Sequence, residues 1–275
     1  MNIQCIALDL DRTTLDSAGR LSAGNRQALE EVLAQGVHVV IASGRAFATL
    51  PEDILSVPGI EYAITSNGAA IYHVPSGRCL HRYLLTPQSV ERILELTRDE
   101  SISYEGFVEG CAYAAADYVR DPVRFGATPA AVSYVQRTRH LEEDIVGFLR
   151  AHIGELDSVD LVVRTEADKL RLWQLLKREV ADIYLTSSVQ QLLEISHRDA
   201  GKHTGFRFVL DRLGLPREAA AAFGDADNDA DLLAYAGCGI AMANATPACL
   251  SAADFVTCSN DEDGVAWGIR EILHL

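Results

Sequence analysis

Short apolar runs, each closed by small or polar residues, alternate with segments of helical periodicity over the first and last thirds of the chain. The first run, Cys5-Ile6-Ala7-Leu8, stops at Asp9-Leu10-Asp11 and then Arg12-Thr13-Thr14. A continuous apolar run of this length reads as a strand buried on both faces, as in a parallel sheet. Ser22 caps the next segment. Ala28, Leu29, Val32 and Leu33 lie on one helical face, and Gly36 follows the last turn. Residues 37–42 and 62–65 are further buried strands. Residues 70–73 and 79–83 form a hairpin around Pro75-Ser76-Gly77. His38 here, and Trp173 in a later helical stretch (166–180), read as packed residues rather than ligands.

The rhythm changes between residues 82 and 188. Helical stretches (88–98, 141–152, 166–180) are mixed there with strand-like ones (102–104, 111–115, 159–164, 183–186), and 118–129 reads as a loop. Such mixing suggests an inserted α+β domain. The first rhythm then resumes: a strand at 192–195, a helix opened by Gly201-Lys202, and a strand at 220–223. A helix at 231–236, strands at 239–242 and 255–257, and a closing helix from about residue 264 complete it. The expected fold class is α/β, a parallel sheet with helices on both faces. Residues 1–81 and 189–275 form its core, and 82–188 form an inserted α+β cap.

Charge and cysteine usage narrow the setting. A formal net charge of -15 argues against nucleic acid or an anionic membrane surface as partner. The six cysteines are scattered, without C-x-x-C or zinc-like spacing, and read as reduced core residues. No cationic and apolar leader pattern opens the chain, and no apolar run is long enough to span a bilayer. The expected location is cytoplasmic.

The strand ends carry the candidate chemistry. Asp9 and Asp11, two apart on a strand, emerge on one side at its carboxyl end, where open α/β sheets bind ligands. Their charges repel, and a divalent cation would keep both ionised. Ser43-Gly44-Arg45, between a strand and a helical pattern, offers a hydroxyl and N–H groups to an anion. Lys202 at a helix start opposes the macrodipole, which invites a functional reading. Gly224-Asp225-Ala226-Asp227-Asn228-Asp229 is a dense set of oxygen ligands suited to a hard cation such as Mg²⁺. Gathered at one sheet edge, these groups make a set for phosphoryl transfer: a nucleophilic carboxylate, a proton-transferring one, a metal site, a cation and a hydroxyl.

With Asn67-Gly68, Ala241-Met242-Ala243-Asn244-Ala245 and Asp261-Glu262-Asp263-Gly264-Val265, their order resembles the haloacid dehalogenase-like hydrolase superfamily, in particular its Cof-type phosphatase branch. The resemblance implies a Rossmann-like core with a cap, inserted between Asn67 and Lys202, that covers the pocket and selects the leaving group. It implies a phosphoric monoester hydrolase, Mg²⁺-dependent, acting on small phosphorylated metabolites through an aspartyl-phosphate. Sugar phosphates are the first expectation. Asp9 would be the nucleophile and Asp11 the general acid and base, while Ser43 and Lys202 hold the phosphoryl oxygens. Asp9, Asp11 (through its carbonyl), Asp225 and Asp229 would form the metal site. Leu10, Gly44, Arg45, Asn67, Gly68, Asn228 and Asn244 would line the phosphate and substrate pocket. A monomer or weak homodimer is expected. Two other readings stay open: a phosphomutase or phosphotransferase of the same superfamily, and a phospho-accepting signalling module. The inserted domain and the late Gly224-Asp225 cluster count against the second. Two departures stand out. The family usually has Gly where this chain has Arg12, which would be strained if the position needs φ > 0. The lysine often found after Asn244 is also missing.

Overall fold

The computed structural model describes residues 2–275. Its strands are β1 (Cys5–Leu8), β2 (His38–Ala42), β3 (Tyr62–Thr65), β4 (Ala70–His73), β5 (Arg78–Arg82), β6 (Ser103–Val108) and β7 (Cys111–Ala115). They continue as β8 (Arg139–Glu142), β9 (Leu156–Val162), β10 (Ile183–Thr186), β11 (Leu192–His197), β12 (Ala220–Gly224), β13 (Cys238–Ala241) and β14 (Phe255–Val256). One sheet has the order β14-β13-β12-β1-β2-β3-β4-β5 and the other β10-β11-β9-β6-β7-β8. The chain divides into two compact units. The first comprises residues up to Arg45 with Leu50–His81 and Gly201–Leu275; the second comprises Ala46–Thr49 and Arg82–Ala200.

In the first unit, pairing is parallel from β14 across to β3 and turns antiparallel at β4. β1 lies between β12 and β2, and all four of its residues are buried. This is why it reads as an unbroken apolar run. The chain leaves β1 toward β2 on one side and returns through β12 on the other, so the strand order switches direction at β1. Crevices at the carboxyl end of such a switch point are where open α/β sheets hold ligands. Leu8 is in register with both Ile41 and Phe223. Asp9 therefore leaves the sheet level with Ala42 and Gly224. Ser22 caps the helix Ala23–Ala34 through the N–H of Asn25 at 3.1 Å, and Ala28, Leu29 and Val32 are buried beneath it.

The second unit is an antiparallel sheet joined at one edge by a parallel strand, β8. Tyr104, Leu161, Leu193 and Ile195 share an apolar cluster with Val90, Ile93, Leu149, Leu172 and Leu176 of the helices Pro87–Thr97, Ile145–Ala151 and Glu166–Glu179. Three expectations change here. Residues 192–195 belong to this sheet and not to the parallel one. β11 lies between β9 and β10, its alternation of Leu193 and Ile195 with Glu194 and Ser196 being that of a strand with one polar face. The expected boundary at residue 189 thus falls short of the observed one. Residues 139–142 are an edge strand, and the helix after them starts beyond Asp144, whose carboxylate accepts the N–H of Gly147 at 2.9 Å. Residues 118–120, expected within a loop, belong to a short helix, Ala116–Arg120.

The polar face carries a row of acids. Glu105 on β6 and Glu194 on β11 both lie opposite Asp160 on β9, and all three are buried. Arg139 forks onto Glu105 at 2.8 and 3.0 Å, and the N–H and hydroxyl of Ser188 donate to Glu194. Among the described residues Asp160 Oδ1 has no hydrogen-bond partner. Burial first, then the charges of Glu194 and Glu105, push the Asp160 carboxyl well above the ordinary carboxylate range, against the pull of Arg139. A raised folded value means that the neutral acid is the stable folded form. Its contribution is complete below about pH 4 and is lost as pH rises through the folded value. Asp160→Asn should therefore match the wild type in urea midpoint near pH 4 and exceed it near pH 8, by roughly 1 kcal/mol. Parallel pH profiles for the two proteins would contradict this.

Candidate active site

All thirteen candidate residues lie in the first unit, on the loops that follow β1, β2, β3, β12 and β13 and at the start of the helix Lys202–Leu213. The best-defined contact is Lys202 Nζ, which donates to Asp9 Oδ1 and to Asp229 Oδ1, each at 2.6 Å. Lys202 is 1 % exposed. Burial works against its charge, but Asp229 and Asp9 outweigh that and hold the ammonium charged. A lysine expected on sequence grounds at an unfavourable helix end is thus tied down by two carboxylates.

Close backbone packing puts it there. Gly201, with φ +124°, precedes the helix, and a Cβ on Gly68 would fall 2.1 Å from the Gly201 carbonyl oxygen. Gly68 follows Ser66 and Asn67, and all three have positive φ. Gly68 thereby serves as the seat for the Lys202 turn.

Asp229 is fully engaged. Its Oδ1 takes Lys202, and its Oδ2 accepts the N–H groups of Asp225 and Ala226, both at 3.0 Å. It braces the loop after β12. Thr13, which the sequence reading passed over, donates its hydroxyl to Asp225 Oδ1 at 2.9 Å and so links the loops after β1 and β12. The small hydroxyl pair after Asp11 was the available signal. Thr14 closes the same turn by donating to the Asp9 carbonyl at 2.6 Å.

Asp9, Asp225 and Asp229 each offer an oxygen within 4.8 Å of the others. Burial first, then Asp229, raise the Asp9 carboxyl well above its ordinary value, with Lys202 opposing. Burial and Asp229 push Asp225 up to about 7, with Thr13 opposing. Two of these carboxylates therefore lack enough positive charge. Among the described residues the second oxygen of each, Asp9 Oδ2 and Asp225 Oδ2, has no hydrogen-bond partner. An all-oxygen set with uncompensated charge fits a hard divalent cation.

Asp11 stands apart from this buried group. Its side chain is 54 % exposed and is gripped by Arg45, Nε to Oδ2 at 2.8 Å and Nη2 to Oδ1 at 2.6 Å. Arg45 thereby fixes the direction of the Asp11 carboxylate. Ser43 is buried, and its Oγ accepts the Arg45 N–H at 3.2 Å, which leaves its own proton for another acceptor. Only a three-residue turn, Phe47–Thr49, follows Gly44 and Arg45, so the expected helix N-terminus is not formed there. The Leu10 side chain is fully buried, and any ligand contact by that residue would go through its main chain. Asn228 donates to Asn67 Oδ1 at 2.9 Å, and its own Oδ1 is buried without a partner among the described residues. Asn244 ties the Arg12 carbonyl (2.9 Å) to the Asn260 N–H (3.0 Å). Arg12 has φ +61°.

Known proteins resemble this chain over nearly its whole length. A sequence profile described as haloacid dehalogenase-like hydrolase matches residues 6–269. Phosphatase YwpJ of Bacillus subtilis is 31% identical over 291 residues, covering 98% of this chain and all of the relative. The Bacillus subtilis 5-amino-6-(5-phospho-D-ribitylamino)uracil phosphatase YitU is 29% identical over 275 residues, covering 98% and 97%. A solved haloacid dehalogenase-like hydrolase from B. subtilis superposes with a TM-score of 0.84 at 28% identity, covering 98% of this chain and 100% of that one. Among the described residues no helix is long and apolar enough to cross a membrane. The chain belongs to the haloacid dehalogenase-like hydrolase family.

Proposed function

We propose that this protein is a Mg²⁺-dependent phosphatase that hydrolyses small phosphorylated metabolites, sugar and sugar-alcohol phosphates foremost, through an aspartyl-phosphate on Asp9. The observation that carries the reading is the contrast between its two leading carboxylates. Asp9 is buried beside Lys202 with one oxygen uncommitted, whereas Asp11 is exposed and oriented by Arg45. Different environments give two carboxylates different tasks.

An Asp9 oxygen attacks phosphorus as the bond to the leaving oxygen breaks, and Asp11 delivers a proton to that oxygen. Asp11, now a carboxylate, takes a proton from water, which attacks phosphorus and releases inorganic phosphate and free Asp9. The Lys202 ammonium and the Ser43 hydroxyl stabilise charge on the non-bridging oxygens. Asp9, Asp225 and the Asp11 carbonyl are the proposed Mg²⁺ ligands, and the ion would supply Lewis-acid neutralisation of the phosphoryl charge. Asp229 positions Lys202 and the Asp225 loop. The phosphoribityl compound in the name of the YitU relative supports a polyol phosphate as substrate type.

The test is a panel of phosphorylated metabolites assayed for phosphate release. Hydrolysis of sugar or sugar-alcohol phosphates that needs Mg²⁺ and stops with chelator is expected. Release from no phosphate monoester with Mg²⁺ or Mn²⁺ present would overturn the reading.

A further inference from the structure

An aspartate side chain that is 54 % exposed would ordinarily turn among several rotamers, yet that of Asp11 is held in one. Arg45 Nε and Nη2 reach its Oδ2 and Oδ1 at 2.8 and 2.6 Å, and such a fork fixes the plane of a carboxylate as well as its direction. The guanidinium is the anchored partner. The Arg45 side chain is only 13 % exposed, and its main chain is tied on both sides. Its N–H donates to Ser43 Oγ at 3.2 Å, and its carbonyl accepts the Ser66 N–H at 3.0 Å. Ser66 makes that bond from φ +48°, a left-handed conformation uncommon outside glycine. The Asn67 N–H donates to the Ser43 carbonyl at 3.1 Å, so the loops after β2 and β3 are laced together where Arg45 is rooted. Ion pairs between two loose surface side chains contribute little. Here one partner is fixed by the backbone, and the strain at Ser66 is held where it serves a site.

We infer that Arg45 is the positioning residue for both proton transfers at Asp11, and that it thereby fits the site to phosphate esters of aliphatic alcohols. The inference rests on the proposed function and deepens it by naming the class of leaving group. As an Asp9 oxygen bonds to phosphorus, the ester P–O bond breaks and Asp11 gives a proton to the departing oxygen. Water then bonds to phosphorus, loses a proton to Asp11, and the bond from phosphorus to Asp9 breaks. In an in-line displacement the departing oxygen and the attacking water take the same place, opposite the Asp9 oxygen. One carboxylate direction therefore serves both steps. An alkoxide is a strong base and needs that proton to leave, whereas a nitrophenolate leaves without it. A well-placed acid or base contributes about 10²–10⁴-fold, and a displacement of about 1 Å can forfeit about 10²-fold.

The experiment compares the wild type, Arg45→Lys and Arg45→Ala on a sugar phosphate and on p-nitrophenyl phosphate with Mg²⁺, with acid quenching to count the phosphoenzyme. In Arg45→Ala, kcat/KM for the sugar phosphate should fall by about 10²-fold and that for p-nitrophenyl phosphate by less than about tenfold. The kcat for both esters should fall, because water loses its proton to the same carboxylate, and phosphoenzyme should accumulate during turnover of p-nitrophenyl phosphate. Added guanidinium, at a concentration that leaves the wild type folded and active, should restore part of both rates. Arg45→Lys, which keeps the charge without the fork, should lie between the other two proteins and carries the comparison if the alanine variant does not fold. An equal fall in kcat/KM for both esters, through KM and without accumulated phosphoenzyme, overturns the inference by making Arg45 a phosphate-binding residue, and leaves the phosphatase reading standing. Wild-type rates in both variants overturn it as well. A wild type that releases phosphate from neither ester nor any other overturns the proposed function and this inference with it.

Discussion

Asp9→Asn should abolish phosphate release, by roughly 10⁴-fold or more, while leaving the protein folded. Removing the group that attacks in a covalent mechanism costs as much as removing the whole catalytic set. Hydrolysis of phosphate monoesters is also among the slowest uncatalysed reactions, so little background remains. Stability should change little, because two effects oppose each other. The amide forfeits one of the two acceptors of Lys202, but Lys202 keeps Asp229 at 2.6 Å. Against that, the substitution removes a buried carboxylate that Asp229 and Asp225 repel. Thermal unfolding checks the fold and a phosphate-release assay checks the activity. An active Asn variant would remove Asp9 from the role of nucleophile.

Lys202→Met should be the more damaging change to the fold. The methionine fills similar space but leaves Asp9 and Asp229 facing each other in a fully buried setting without their shared cation. Breaking a buried pair by deleting one partner typically costs about 3–5 kcal/mol. Activity should fall by about 10²–10³-fold, the scale for losing a preorganised charge stabiliser. The pH dependence has a definite sign. The folded pKa of Lys202 is raised, so the stability it supplies is complete below its unfolded value of about 10.4 and is lost only above that. Between pH 5 and 9 the lysine stays charged, and any change in the gap between the proteins comes from the carboxylates. Lower pH favours the protonated carboxyls that the variant needs, so the gap in urea midpoint should narrow toward pH 5. A constant gap, or one that widens on acidification, would show that Lys202 does not compensate these acids.

Much of this site was legible in the chain because its strands are buried on both faces. β1 and β12 are unbroken apolar runs of minimal length, and each ends where an acid appears. The switch point then brings those ends together with no further information. The roles within the cluster were less legible. Asp229 is indistinguishable from Asp225 as a potential ligand in the sequence, and only its three hydrogen bonds mark it as a brace. Arg45 and Asp11 are 34 positions apart, and their fork depends on two loop geometries that no periodicity encodes. Gly68 looked like part of an Asn-Gly turn. The constraint it answers, the Gly201 backbone, comes from the far end of the chain. Four residues, Leu192 to Ile195, are too few to separate a doubly buried strand from one with a polar face, which is why β11 reads in the sequence as part of the parallel sheet. Glu194 was the residue that carried the distinction.

Arg12 was the reverse case. The positive φ foreseen as a source of strain is present, and the side chain is exposed. The sequence raised the question, and only the backbone geometry answers it.

Covalent chemistry at Asp9 can be read in a single experiment: acid quenching during turnover of a ³²P-labelled sugar phosphate with Mg²⁺, followed by peptide mapping. The expected result is hydroxylamine-sensitive label on the peptide carrying Asp9, absent from Asp9→Asn. Steady hydrolysis with no labelled protein at any quench time, or label on another residue, would contradict it.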